Sequence, residues 1–399
     1  MMDNPTIQDI FLRFYPEFLK KYTPSLDQQR VANAVMNCRT GRLGANVTVC
    51  SECGCISVHY NSCRNRCCPM CQAIQKEKWI DLRREDVLDA PYFHMVFTVP
   101  QELNPLIYNN QKFLYDAMYH AASSTIGQLA SQSKHLGAKV GYILILHTWG
   151  SELNFHPHIH TVLLGGGLSP DLKWKDKGEK FFLPIKVVSR VFRGKYLEEL
   201  KRLWQDGKLI FTGSAEKYRG HYAFKALLDL LYSKEWQPYC KRTFNGAQTV
   251  INYLGKYTHR IAISNHRIKR IEDGKVVFAV KDYRNEGKWK ELALPGVEFI
   301  RRFLMHVPPR RFVRIRHYGI LCSRTKKRDL QICRRLLGCK QYKSRLRNLN
   351  AAQIIETVWN VKVNVCRHCG CEGHMLPYGK MIPMRCEVIP TGYSRQPHS

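Results

Sequence analysis

The sequence predicts an α+β protein built on an antiparallel sheet, with a small cysteine-rich unit before the core and a basic region after it. Three observations predict this. Several short apolar segments with strand character are joined by short loops and do not alternate regularly with helices. The 16 cysteines gather at two places and are sparse between them. Lys and Arg number 63 against 32 Asp and Glu, a formal charge of +31. A chain of 399 residues has room for one large core and one or two small satellites.

In chain order, residues 1 to about 45 read as helical, with Phe11, Phe14, Tyr15 and Phe18 at helical spacing, and a cysteine-rich stretch runs from Cys50 to Cys71. A short helix over Gln72 to Asp89 leads into the main region. There the pattern turns to strands: Phe93 to Val99 before Pro100, Val140 to Thr148, and His156 to Leu164 before three glycines. Helical stretches are expected over Asn104 to Gln132, Ser189 to Asp206, Lys217 to Lys234 and Gly246 to His259. Further strands are expected at Ile261 to Ser264 and Val276 to Val280. No solenoid-length repeat is present.

The charge makes nucleic acid the expected partner. A membrane partner is set aside, because no apolar run approaches the length of a spanning helix. The N-terminus mixes acids with aromatics and does not read as a signal peptide, so a cytoplasmic protein is expected. From Arg301 onward the chain is densely basic, and the interleaved Phe303, Phe312, His317 and Tyr318 are expected to stack on bases while the cations hold phosphates.

Three constellations carry chemistry. The first is Cys50-x2-Cys53 and Cys68-x2-Cys71, two knuckles at a spacing that reads as one tetrahedral zinc site. Cys55, His59, Cys63 and Cys67 lie in the same stretch, so Cys63 joins the candidate set and a second ion is conceivable. Such a closed site folds a small finger, from which Arg64 and Arg66 are expected to reach DNA. A second group, Cys366-x2-Cys369 with Cys371, His374 and Cys386, lacks a clear second knuckle.

The second constellation is His156-Pro157-His158-Ile159-His160, whose alternating imidazoles share one face of a strand. The segment Leu144 to Trp149 reads as the preceding strand of a hairpin. His147 joins that face if it pairs with His158 or His160, and turns away if it pairs with Ile159. His147 is the first candidate for a third metal ligand and His156 the second. A three-histidine site with open positions suits a catalytic ion that must also bind a phosphate oxygen.

The third is Tyr253 and Tyr257, four apart in an expected helix and so on one face, flanked by Lys256, His259 and Arg260. Cations there favour the phenolate needed for attack on a phosphodiester.

At these residues the sequence resembles the two-tyrosine rolling-circle transposases of bacterial insertion sequences, members of the HUH nuclease superfamily. The matching segments are CSECG, YNSCRNRCCPMCQ, LHTWGSELNFHPHIHTVLLGGGL and YLGKYTHRIAISNHRI, followed by FIRRFLMHVPPRRFVRIRHYG. The pattern departs at Cys67, where a histidine is expected before Cys-Pro. The resemblance implies that His158 and His160 hold Mg²⁺ or Mn²⁺, that Tyr253 and Tyr257 are the nucleophiles, and that an N-terminal domain binds Zn²⁺. It implies an antiparallel-sheet HUH core. Three regions are expected along the chain: 1–90 helical and zinc-binding, 91–300 catalytic, 301–399 basic with a second cysteine-rich candidate site. It also implies single-stranded DNA and element ends as substrates. With no G-x-x-x-x-G-K-[ST] loop in the chain, a helicase and replication machinery are expected from the host. The runner-up readings are a replication initiator or relaxase of the same chemistry and a non-catalytic zinc-containing DNA-binding protein.

Overall fold

The computed structural model describes residues 5–178, 181, 183–236, 238–244, 249–250, 255, 262–282 and 285–383. The first helices are α1 (Ile7–Lys21) and α2 (Leu26–Asn37), each opened by a capping box, Thr6 with Asp9 and Ser25 with Gln28. A hairpin of β1 (Ala45–Cys50) and β2 (Ile56–Tyr60) precedes α3 (Gln72–Arg84). The core then runs β3 (Tyr92–Thr98), α4 (Asn104–Asn109), α5 (Gln111–Ser131), β4 (Lys139–Trp149), β5 (Phe155–Leu168), β6 (Trp174–Asp176), α6 (Ile185–Gln205), α7 (His221–Ser233) and β7 (Tyr239–Phe244). After it come β8 (Ile268–Glu272), β9 (Lys275–Asp282), β10 (Lys288–Pro295), α8 (Gly296–Met305), β11 (Ile315–Gly319), α9 (Lys326–Leu337), α10 (Ala351–Trp359) and β12 (Met375–Met381).

The expected α+β class with antiparallel sheets is what the chain forms. The central sheet has the order β11-β4-β5-β3-β7, with β6 paired to the end of β5. Its strands are apolar on both sides because both faces are covered. On one face Phe93, Met95, Phe97, Leu144, Leu146, Ile159 and Leu163 pack with α5, α6 and α7 in the largest core cluster. On the other, Tyr92, Ile143, Ile145, Val162 and Leu164 pack with Val250 and with Leu330 and Cys333 of α9. The histidines lie on this second face, between it and the end of the hairpin.

A separate cluster joins α1 and α2 to α8 and the small β10-β9-β8 sheet, with Phe11, Phe14, Phe278, Phe299 and Phe303 at its centre. Helix α1 is therefore held by partners far downstream, as the Ile7 amide bonded at 3.2 Å to Asn265 Oδ1, 258 residues on, also shows.

Several expectations change. The strand expected at Ile261 to Ser264 is not formed by its described residues, 262–264; Ala262 and Ile263 are buried in the α1–α8 cluster. Phe303 and Phe312 do not face solvent to stack on bases, since both are buried in the cores, and an apolar ring gains more there than on a wet surface. Two strands of the basic stretch pair with earlier ones: β11 with β4, and β12 with β1. Among the described residues no helix is long and apolar enough to cross a membrane.

Gly319 closes β11 at a φ of 62°, and a Cβ built there falls 1.6 Å from the Val140 carbonyl oxygen. Gly319→Ala should destabilise the protein by about 2 kcal/mol or more through strain and backbone clash; an unchanged urea midpoint would refute the close approach. His306 is buried where its Nε2–H donates to the Leu153 carbonyl and its Nδ1 accepts from Thr148 Oγ1, both at 3.2 Å. Burial pushes its pKa from 6.5 down to about 4. The unfolded chain therefore takes up the proton first, and stability should fall as pH drops from 6.5 towards 4. Thermal melts across that range should show a shallower slope for His306→Asn than for the parent protein.

Candidate metal centres

The histidine pocket is built by the β4–β5 ladder. His147 stands directly opposite His158, and Ile145 opposite His160, so alternation puts all three imidazoles on one face. Their ligand nitrogens lie within 4.8 Å of one another. His158 Nε2 and His160 Nε2 are 3.0 Å apart. Two donors on one ion, at bonds of about 2.1 Å and angles of 90–110°, stand about 3.0–3.4 Å apart. The separation thus fits a shared cation.

Neighbouring groups orient the rings. His158 Nδ1–H donates to the His156 carbonyl at 2.7 Å, which turns Nε2 inward as a bare lone pair. His160 Nδ1 lies 2.9 Å from Nε2 of His94, a residue of β3 on the same sheet face. In the tautomer that opens His160 Nε2 to a metal, that Nδ1–H donates to His94. The His147 ring is stacked 4.5 Å from Trp149 and buried. His156, the alternative third ligand, contributes its carbonyl and not its ring to this cluster, because the ring is not among the converging donors. Burial lowers His158 and His94 to about 4, so both imidazoles are neutral near pH 7. Neutral imidazole is the form that ligates metals.

Tyr253 and Tyr257 lie outside the described residues. Their described neighbours in sequence, Val250 and Gly255, are helical. Val250 packs with Tyr92, Ile143, Ile145, Val162 and Leu164, on the histidine face. Gly255 lies against α3 so tightly that a Cβ would come within 2.5 Å of Ile80 Cδ1.

The cysteines converge in a different grouping from the one expected. Cys50 and Cys53 do not meet Cys68 and Cys71; two quartets form instead. The first is Cys38, Cys63, Cys68 and Cys71, with Cys71 Sγ 3.2 Å from Cys38 and 3.5 Å from Cys63. The second is Cys50, Cys53, Cys366 and Cys369. The physical reason is the β1–β2 hairpin, which carries the first knuckle to the far end of its strands, away from Cys68. Cys67 belongs to neither quartet and is buried.

Sequence reasoning missed Cys38, which caps α2 outside the cysteine-rich stretch. The available signals were the count of thiols, enough for two quartets, and the near-identity of CSECGC with CRHCGC. Arg66, expected to reach DNA, instead donates to the carbonyls of Phe312 at 2.6 Å and Pro309 at 3.0 Å. It ties the cysteine unit to the loop before β11.

Cysteine quartets and a histidine pocket carried on an antiparallel sheet define a candidate metal-binding protein, and comparison with known proteins supplies the family. The "Putative transposase" family model matches residues 141–329, and the "Transposase zinc-binding domain" model matches residues 10–99. The chain is 42% identical over 337 residues to the "Putative transposase y4qJ" of Sinorhizobium fredii, covering 84% of this chain and 85% of that protein. It is 29% identical over 298 residues to the transposase for insertion sequence element IS801 of Pseudomonas savastanoi pv. phaseolicola, covering 73% and 69%. No solved structure gives a significant match. This chain belongs to the insertion-sequence transposase family and carries that family's zinc-binding domain. The quartet Cys38, Cys63, Cys68 and Cys71 lies wholly within the matched zinc-binding segment.

Proposed function

We propose that this transposase cuts and rejoins single-stranded DNA through a 5′-phosphotyrosine, with His147, His158 and His160 as the metal pocket and Tyr253 and Tyr257 as nucleophiles. The observation that carries the reading is the convergence of three imidazoles on the sheet face that also receives Val250. A divalent ion in that pocket, Mg²⁺ or Mn²⁺, would polarise the scissile phosphate.

The chain's own groups do the rest. A tyrosine oxygen attacks phosphorus and forms a P–O bond while the bond to the 3′ oxygen breaks. The phenol's proton is given up, and the departing 3′ oxygen gains a proton to become a free hydroxyl. That hydroxyl can prime replacement synthesis by host polymerases. The second tyrosine permits a second cleavage, and rejoining needs no nucleotide cofactor, because the phosphotyrosine conserves the bond energy. Exposed Arg310, Arg311, Arg324, Lys327, Arg328 and Arg335 supply cations for backbone phosphates. Strand separation falls to a host helicase, and the work is done on nucleoid DNA in the cytoplasm.

Labelled single strands carrying the element end, incubated with Mg²⁺ or Mn²⁺ and run on a denaturing gel, should yield a covalent adduct. Tyr253→Phe with Tyr257→Phe should abolish it, while DNA binding persists. His158→Ala or His160→Ala should lower adduct formation by at least about 100-fold. An adduct that survives both tyrosine changes would overturn the reading.

His94→Ala should weaken Mn²⁺ binding by about 10–100-fold by releasing His160. Paramagnetic titration would check this, and unchanged affinity would remove His94 from the site.

A further inference from the structure

The geometry points to a second structural Zn²⁺ site, formed by Cys50 and Cys53 from one end of the chain and Cys366 and Cys369 from the other, which clasps the two ends together. The zinc-binding domain match stops at residue 99, so two of these four thiols lie outside it.

Each half is a metal knuckle with the same backbone. In CSECGC the Cys50 amide donates to the Cys55 carbonyl and the Gly54 amide to the Cys50 carbonyl, both at 2.9 Å. In CRHCGC the Cys366 amide donates to the Cys371 carbonyl and the Gly370 amide to the Cys366 carbonyl, again at 2.9 Å. Gly54 and Gly370 both take the left-handed conformation, φ 70° and 76°, that such a turn requires. Two turns of one design, far apart in sequence, thus face each other.

The sulfurs are at metal spacing. Cys50 Sγ is 3.7 Å from Cys369 Sγ, and Cys53 Sγ is 3.6 Å from Cys366 Sγ. Four thiolates on one tetrahedral ion at bonds of about 2.3 Å stand about 3.8 Å apart. The donor set, all sulfur and four in number, leaves no open position and selects a soft ion in a structural role.

The surroundings explain why such a clasp is needed. Strand β12 pairs with β1 from Ala45↔Met381 to Cys50↔Met375, yet every residue of β12 after Met375 is exposed. Backbone pairing without a buried face is marginal. Around the knuckles polar links cross: the Ser51 amide donates to the His374 carbonyl at 2.9 Å, and His374 Nδ1 lies 2.8 Å from Glu52. The link joins positions 313 and 319 residues apart, so it closes nearly the whole chain into a loop.

The test is metal content of the full chain carrying His158→Ala and His160→Ala, so that the histidine pocket contributes nothing. Two equivalents of zinc per chain are expected, falling to one with Cys366→Ser and Cys369→Ser. Cys369→His, which keeps a ligand, should retain two. One equivalent in the parent chain, or two in the double serine variant, would overturn the proposal. Should the serine variant fail to fold, stepwise chelation of the parent chain with alkylation and peptide mapping decides. Cys50, Cys53, Cys366 and Cys369 should become reactive together as one zinc leaves, and the segment after residue 360 should become cleavable by trypsin. Reactive Cys366 and Cys369 in fully zinc-loaded protein would sink the clasp.

Discussion

The pairing of β4 with β5 is the constraint on which the candidate chemistry depends. A slip of one residue would turn His158 and His160 into the helical core and bring Ile159 out in their place. The register is held by apolar residues on both faces: Leu144 and Leu146 against Ile159 and Leu163 on one, Ile143 and Ile145 against Val162 and Leu164 on the other. Neither set tolerates exchange for imidazoles. The ladder shifts between His147 and Trp149, immediately beside the pocket. A bulge there bends the strand and re-aims the residues at its end.

The pocket's electrostatics follow from where it is buried. Burial pushes His158 down to about 4, and imidazoles that ligate a metal do so as neutral donors that add no charge to a bound divalent ion. The ion would keep its full charge, unlike one in a carboxylate cage, and so attract a phosphate strongly. In a chain of formal charge +31 a histidine that became protonated there would face further repulsion. Hydrogen bonds to the His156 carbonyl and to His94 direct the inward nitrogens. The pocket is thus shaped by residues whose rings do not belong to it.

The basic residues divide into two populations. Some are structural: Arg66 bonds to two carbonyls, Arg267 to the carbonyls of Ala279 and Ser151, and Arg316 pairs with Asp116 over the ring of Tyr119. Others, among them Arg310, Arg311, Arg324, Lys327 and Arg335, are exposed. Charge density along the sequence does not separate these groups, because a guanidinium satisfied by carbonyls is indistinguishable there from one left in water.

Local pattern was enough to reveal the α+β class, the helical start of the chain, strands β3, β4 and β5, and the histidines' shared face. Each follows from a period or a short motif that neighbouring residues complete among themselves. The sequence also marked the cysteine knuckles, since each is a local turn. It could not show which knuckle meets which, because spacing along the chain favours the nearest partner, whereas the β1–β2 hairpin carries Cys50 and Cys53 away from Cys68 and towards Cys366. The exposed strand β12 lacks an apolar period and was illegible for the same cause: its pairing with β1 is decided by distant backbone, not by side chains. Whether His147 faced its partners was likewise a matter of register, and register is set by packing across the whole sheet.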